Sequence, residues 1–357
     1  MKKNFLIVVG ILFLFLGINT TPIVAIDNKE ATTHTLYNGD ILYVGGFGPG
    51  NYSKIQDAID NSSNGDTVFV YSGTYYENII IEKRLIVIGE NQNYTFICGK
   101  NESGFIITLK GKGSGTTITG FTILNDEIKY QSGILISHSR ENTIENNTFI
   151  IPISMGSWSI LFYSESNNNI IKNNKIFGNG IEIEGANNNI LIENVISDTQ
   201  DGIKLERAHY NIIENNTIKN CLTVSISGPS NNNKVLNNSF VNNLQGVGIY
   251  GSKGNEIIGN NFEKNRFGVH LFWCGYNYIH KNNFVNNYKN ADVVGNCKRP
   301  INSWRENYWD DWIGLTNPLL FWIPKFIEGE IMFNMYRSIS CFNFDINPAK
   351  QPYDIGV

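Results

Sequence analysis

Between Asn142 and Trp309 one eight-residue phrase returns at nearly constant spacing. NTIENNTF starts at Asn142, NIIKNNKI at Asn169, NILIENVI at Asn189, NIIENNTI at Asn211, NKVLNNSF at Asn233, NEIIGNNF at Asn255 and NYIHKNNF at Asn277. Successive starts differ by 27, 20, 22, 22, 22 and 22 residues, and a looser copy, NSWRENYW, follows 25 residues later at Asn302. A period of about 20–25 residues marks a solenoid in which each repeat is one coil. Between the phrases, GIEIEG (180–185), GIKLER (202–207), GVGIYG (246–251) and GVHLFW (268–273) carry apolar residues at alternate positions. That period of two belongs to a strand. It turns Ile181, Ile183, Ile203, Leu205, Val247, Ile249, Val269 and Leu271 inward. Three short strands and three turns per 22 residues describe an all-β fold, a right-handed parallel β-helix. Leucine-rich repeats share the period but need leucine at fixed positions, which this chain lacks. The repeated asparagines fall at the corners, where Asn tolerates left-handed backbone and its amide can bond the same Asn on neighbouring coils.

The solenoid begins before the regular repeats. Strand-like segments run from Thr67 through TTITGFTI (116–123), which has the eight-residue shape with Thr and Gly in place of Asn. We therefore expect nine or ten coils, roughly 45 Å of rod at ~4.8 Å per coil. The expected organisation is a signal segment at 1–25, a flexible leader at 26–40 and a strand with a capping helix at 41–65. The β-helix itself follows at 66–309 and an irregular aromatic C-terminal cap at 310–357. The helix, about 53–61, has an apolar stripe of Ile55, Ala58 and Ile59, and Ser53 is placed to cap it. Residues 150–166 add about five residues to one coil, and so form a loop that packs back on it. In the C-terminal segment Trp309, Trp312, Phe321 and Trp322 are expected to cover the last coil, with a strand turning back along the rod.

The formal net charge of −4 provides no basic footprint for nucleic acid. Lys2 and Lys3, the apolar run 5–18 and a small-residue exit at Ala25 form a secretory signal pattern. No later stretch is apolar enough to span a membrane. The expected location is therefore outside the cell or at its surface. The five cysteines are an odd count, which excludes a complete internal disulfide framework. Cys274 and Cys297 are one coil apart in sequence, and are the candidate pair.

Chemistry on a β-helix has to sit on outward columns, because inward ones are core. Aligning the repeats gives one column of Leu135, Leu161, Glu182, Lys204, Ser225, Gly248, His270 and Asp292. The next holds Ser137, Tyr163, Glu184, Glu206, Ser227, Tyr250, Phe272 and Val294. Glu182, Glu184, Lys204 and Glu206 are the candidate catalytic cluster. Carboxylates ~5 Å apart across coils suit glycosidic chemistry, or with Ca²⁺ and Lys204 as base, removal of a proton from a uronate. Tyr163, Tyr250, Phe272 and Trp158 are candidate sugar-stacking residues. His270, Cys274 and His280 are the candidate soft ligands for copper.

Three regions resemble known proteins. The opening IQDAIDNSSNGDTVFVYSGTYYENIIIEK (55–83) resembles the start of NosD-type β-helix proteins and of pectin methylesterases. NNNIIKNNKIFGNGIEI resembles the NosD-type repeat, and ENYWDDWIG with NFDINPAKQPYDI resembles the ends of archaeal secreted members. The resemblance implies a pectin-lyase-like fold and export, and NosD itself is associated with copper-site assembly of nitrous oxide reductase. The Asp-Asp and Gly-His-Gly signatures of polygalacturonases are missing here, as is the Gly-x-x-Asp-Phe-Ile-Phe-Gly phrase of the methylesterases. Three functions are therefore open. They are a surface protein that binds carbohydrate or another extracellular partner, a polysaccharide lyase or glycoside hydrolase, and a copper accessory protein.

Overall fold

The computed structural model describes residues 39–100, 104–125, 131–154, 156–295, 302–312, 324–334 and 337–355. The expected signal segment, the leader as far as residue 38, Cys297, Phe321 and Trp322 lie outside them. Within them the chain winds as a right-handed parallel β-helix. Ile181–Glu184, Ile190–Ile192 and Val195–Thr199 form one coil. The next coil stacks on it in register, Ile181 on Ile203, Ile190 on Ile212 and Val195 on Thr217. We call the three resulting surfaces faces A, B and C. Faces A and B join in a 24-stranded sheet, and face C is an 11-stranded sheet. Eleven stacked strands exceed the nine or ten coils expected. The excess lies in the opening stretch, where Gly73–Tyr76 pairs with Thr95–Cys98 although neither carries the asparagine phrase.

The period of two holds throughout. All eight inward residues named from the sequence, from Ile181 to Leu271, are fully buried. Face C adds a stack of rings, Phe240, Phe262, Phe284 and Trp309, with centroids 4.9, 5.0 and 4.3 Å apart and planes within 9° of parallel. Isolated ring pairs prefer offset or edge contacts. Here the strand spacing of ~4.8 Å sets the geometry.

The asparagines divide into two kinds. The first and sixth positions of the phrase are buried, and their amides form ladders through the interior. Asn211, Asn233, Asn255 and Asn277 are each 0% exposed. The backbone N–H and side-chain Nδ2 of each donate to Oδ1 of the next, at 2.8–3.2 Å for Asn211 to Asn233 and 2.9–3.1 Å for Asn233 to Asn255. A second ladder runs through Asn194, Asn216, Asn238, Asn260 and Asn282 to Asn307. The fifth position is different. Asn146, Asn173, Glu193, Asn215 and Asn237 occupy left-handed corners at φ 52–57°, where a short polar side chain is least penalised. Ladder and corner are thus separate jobs, done by neighbouring residues.

Helix α1 (Ile55–Asn61) buries Ile55, Ala58 and Ile59, as expected. Ser53 does not cap it; the cap position is Lys54, whose side chain makes no capping bond. The following strands hold both ends instead. Glu77 accepts from the backbone N–H of Ile55 at 2.8 Å and of Gln56 at 3.0 Å. The Lys83 ammonium donates to the carbonyls of Ile59, Asp60 and Ser62 at 2.9, 2.7 and 2.7 Å. A carboxylate at the N-terminus and an ammonium at the C-terminus both complement the helix dipole. Glu77→Ala leaves two helix donors without an acceptor. It is expected to cost about 1–3 kcal/mol in urea unfolding, with protection from hydrogen exchange lost first in 55–61.

The loop in 150–166 is held against the coils on either side of its own. Trp158 N–H donates to Ser132 Oγ at 3.0 Å, and Asn179 Nδ2 donates to the Pro152 carbonyl at 2.9 Å. At the other end the chain forms an antiparallel hairpin, Lys325–Asn334 with Arg337–Asp345. Rather than turning back along the rod, its strands extend faces A and B, Gly329 pairing with Val293 and Asp345 with Trp304. Only the last stretch returns by one coil, with Tyr353 N–H donating to Asn283 Oδ1 at 2.8 Å. Among the described residues no helix is long and apolar enough to cross a membrane.

Candidate functional site

Face A carries the outward columns. Its register pairs Leu135 with Leu161, Leu161 with Glu182, Glu182 with Lys204, Lys204 with Ser225, Ser225 with Gly248, Gly248 with His270 and His270 with Asp292. The neighbouring column runs through Ser137, Tyr163, Glu184, Glu206 and Ser227, and continues from Tyr250 through Phe272 to Val294. The columns read from the repeat are those of the structure.

Glu182, Glu184, Lys204 and Glu206 form one network. Lys204 Nζ lies 2.8 Å from both Glu182 Oε1 and Glu206 Oε2. Arg207, which the repeat alignment leaves out, joins from the corner, 2.8 Å from Glu206 and also bound to Glu184. Burial raises the Glu182 carboxyl above the usual carboxylate range, against the opposing pull of Lys204. Burial raises Asp201 in the same way, again against the pull of Lys204. Glu206 is held low, chiefly by its hydrogen bond from Lys204. For Lys204 burial opposes the charge, but its bonds to Glu182 and Glu206 outweigh that and raise its affinity for the proton. A lysine so held is an ammonium at neutral pH, the opposite of what a general base requires. The patch therefore carries two oppositely displaced carboxyls, bridged by a cation that fills the space between them.

Two to four coils further on lies an aromatic cluster. His270 is the hub, with Tyr250, Phe267 and Phe272 at 5.8, 5.9 and 6.4 Å between centroids. Trp273, half exposed at 51%, meets Phe272 edge-on at 6.4 Å. His270 Nδ1 lies 2.8 Å from Asp292 Oδ2, and Lys289 donates to the other oxygen of Asp292. Burial alone would raise the Asp292 carboxyl, but these two hydrogen bonds outweigh it and hold it low. Tyr250 donates through its hydroxyl to Gln245 Oε1 at 2.7 Å, and burial raises that phenol. The ring reaches Gln245 by leaning across Gly248, where a Cβ would lie 2.8 Å from the Tyr250 ring and hydroxyl and 2.5 Å from Gln245 Oε1. Trp273, Gln245 and Asp292 are participants that the residue types alone did not single out as partners. Trp273 sits in left-handed backbone at φ 50°. That turn carries its ring to the edge of face A, and no sequence pattern reports it.

The other candidates are dispersed. Tyr163 is 49% exposed on the Tyr250 column, but four coils away, roughly 19 Å at ~4.8 Å a coil. Trp158 lies in the loop anchored at Ser132. His270, Cys274 and His280 are not brought together as a metal site. His280 is engaged with Ser303 Oγ at 3.0 Å, and burial, then Arg305, lower its proton affinity. Cys274 is a buried free thiol, pushed up to about 12 by burial, whereas a metal ligand must be a thiolate. Among the described residues no three His, Cys, Asp or Glu side chains converge to hold a metal ion. His209 serves as a ladder residue, its Nδ1 accepting from Asn231 N–H at 3.1 Å. A polar cavity of about 360 Å³ also opens beside Lys289, between Asn290, Asp310, Asp311 and Lys325.

Several solved structures share the fold at low identity. The mannuronan C-5 epimerase AlgE4 A-module of Azotobacter vinelandii aligns at 15% identity over 71% of this chain and 81% of its own, with a TM-score of 0.57. PfbA, a surface adhesin of Streptococcus pneumoniae, aligns at 15% over 71% and 80%, TM-score 0.53. The Dettilon tailspike protein aligns at 14% over 75% and 66%, TM-score 0.54. At such identities the likeness concerns fold alone. No curated protein matches the chain in sequence. One family model does, that of NosD, described as periplasmic copper-binding protein, over residues 59–247 and 114–314. The described residues do not fit the copper of that description, since histidines and cysteines lie apart and the thiols are buried. The two matches together reach from 59 to 314 of 357 residues, and by that extent the chain belongs to the NosD family.

Proposed function

We propose that this chain is an exported β-helix protein that binds carbohydrate on face A, with the cluster of Tyr250, His270, Phe272 and Trp273 as the centre of the site. The observation that carries this is the exposed aromatic ring of Trp273 beside Phe272, with Phe272 in turn against His270 and Tyr250, whose polar atoms bind Asp292 and Gln245. Apolar ring faces with hydrogen-bonding groups at their margins are what a sugar ring requires. Export is supported by the signal pattern at 1–25 and by the periplasmic description of the family. An epimerase module acting on mannuronan and a surface adhesin share the fold, so the architecture itself is compatible with handling polysaccharide. Titration of the mature chain on a polysaccharide panel tests the function. Binding without product release is expected, and Trp273→Ala is expected to weaken it several-fold with unchanged melting. Absence of binding to every polymer would refute it.

An alternative function is polysaccharide cleavage at Glu182 and Glu206, favoured by their opposite displacement from the usual carboxylate range. It requires Lys204 to leave one of them when substrate arrives. Release of shortened chains from the same panel, abolished in Glu182→Gln, would establish it in place of simple binding.

A further inference from the structure

Most of the charges on the outward columns of face A are paired with one another. Lys204 lies between Glu182 and Glu206, Arg207 between Glu184 and Glu206, and Lys289 shares Asp292 with His270. Of the lysines and arginines on the outward columns of face A and at their margins from 181 to 294, Lys204, Arg207 and Lys289 have carboxylate partners, and among the described residues Lys253 and Arg266 have none. The Arg266 guanidinium lies 5.7 Å over the Phe267 ring. In the Glu182 network three carboxylates meet two cations, a net charge of −1.

A uronate carboxylate arriving at Lys204, Arg207 or Lys289 finds its attraction already answered. It would have to displace a glutamate or Asp292 from a hydrogen-bonded cation, exchanging one ion pair for another while adding like charge to the surface, which leaves Arg266 as the cation of the cluster's margin open to it. An uncharged sugar faces no such exchange. Its apolar face can rest on Phe272 and Trp273, and its hydroxyls can meet the Gln245 amide and the hydroxyls of Ser225 and Ser227, which lie on the same face. Hydroxyl recognition of this kind does not depend on long-range charge, and is little affected by salt.

We propose that the aromatic cluster of face A takes an uncharged polysaccharide and discriminates against polyuronates. This inference rests on the carbohydrate-binding function proposed above, and narrows it to a chemical class.

The test compares the full mature chain against neutral polymers (glucan, mannan, galactan) and polyuronates (alginate, polygalacturonate) by affinity electrophoresis and calorimetry, at low and high salt. A neutral polymer is expected to bind with an affinity that changes less than about twofold with salt. Tyr250→Ala is expected to weaken binding about tenfold, from the lost ring contact. Tyr250→Phe, which keeps the ring and loses only the bond to Gln245, should retain most of it, and equal melting of all three proteins excludes misfolding as the cause. Binding of a polyuronate that collapses in high salt and in Arg266→Ala would overturn the neutral class while leaving carbohydrate binding in place. Neutral binding unaffected by Tyr250→Ala would overturn the assigned site. No binding to either class would overturn both.

Discussion

Asp345→Ala is expected to detach the C-terminal end of the solenoid. In the second asparagine ladder every bond from rung to rung runs the same way, donated toward the next coil, so its last rung is left with donors and no successor. That rung is Asn307, and the hairpin supplies its acceptor. Asp345, 0% exposed, accepts through Oδ2 from Asn307 N–H and Nδ2 at 2.9 Å each and from Trp309 Nε1 at 3.0 Å. Through Oδ1 it accepts from Glu306 N–H at 3.0 Å and Asn347 N–H at 3.2 Å. Alanine would strand at least three buried donors, at about 1–3 kcal/mol each, for a total of roughly 3–9 kcal/mol. Because coils contact only their neighbours, the loss should stay local. Hydrogen exchange is expected to rise in 302–309 and in the hairpin, and to remain unchanged around Ile203. Asp345→Asn is the milder change, since one oxygen can still serve Asn307 while the new NH₂ faces the donor of Glu306. Equal protection in Asp345→Ala and the native chain would show that the ladder needs no terminal acceptor.

The converse substitution, Asn238→Asp, is expected to be as damaging in the middle of the ladder as aspartate is useful at its end. Asn238 Nδ2 donates to the Ile213 carbonyl at 2.9 Å and to Asn260 Oδ1 at 3.0 Å, while its Oδ1 accepts from Asn216 N–H at 2.8 Å and Nδ2 at 3.0 Å. A carboxylate keeps the acceptor half, but opposes two carbonyl oxygens where the amide donated. With no cation beside it the charge is buried unpaired, and the expected cost is about 3–5 kcal/mol at neutral pH. Protonation restores one donor, so the new carboxyl would titrate above its unfolded value in the folded chain. Its penalty is then smallest below the unfolded carboxyl range and grows as pH rises through it. Urea unfolding at about pH 4 and pH 7 reads this directly. The deficit of the variant relative to the native chain should be smaller at the lower pH, and a constant deficit would rule out a buried carboxylate as its cause.

Both substitutions show where the sequence was legible. The 22-residue period names each residue's neighbour on the next coil, so the outward columns could be written down and agree with the register strand by strand. The period of two gave the inward set, because burial on one side of a strand demands it. The same regularity blurred other assignments. Buried rung and left-handed corner are both asparagine, and look alike in a phrase such as NTIENNTF. Ser53 had the right position to cap α1, but a carboxylate with two acceptor oxygens arrives from Glu77. His270, Cys274 and His280 are near in sequence and could be grouped as ligands on paper. In the fold, one faces Asp292, one is buried as a thiol and one turns to Ser303.

The chain's own pattern determined the solenoid, its coil period, its core and its outward columns, because each of these follows from requirements that repeat with the coil and involve partners a fixed distance away. The tertiary structure alone decided how the non-repeating parts close on that scaffold. It put Asp345 beneath the last rung, Glu77 at the helix, Arg207 among the glutamates and the Trp273 ring at the edge of face A. These depend on the path of a hairpin, the direction of a side chain and the sign of one φ angle. No period encodes them, and they leave face A with an ion-paired glutamate network and, two to four coils on, an aromatic cluster.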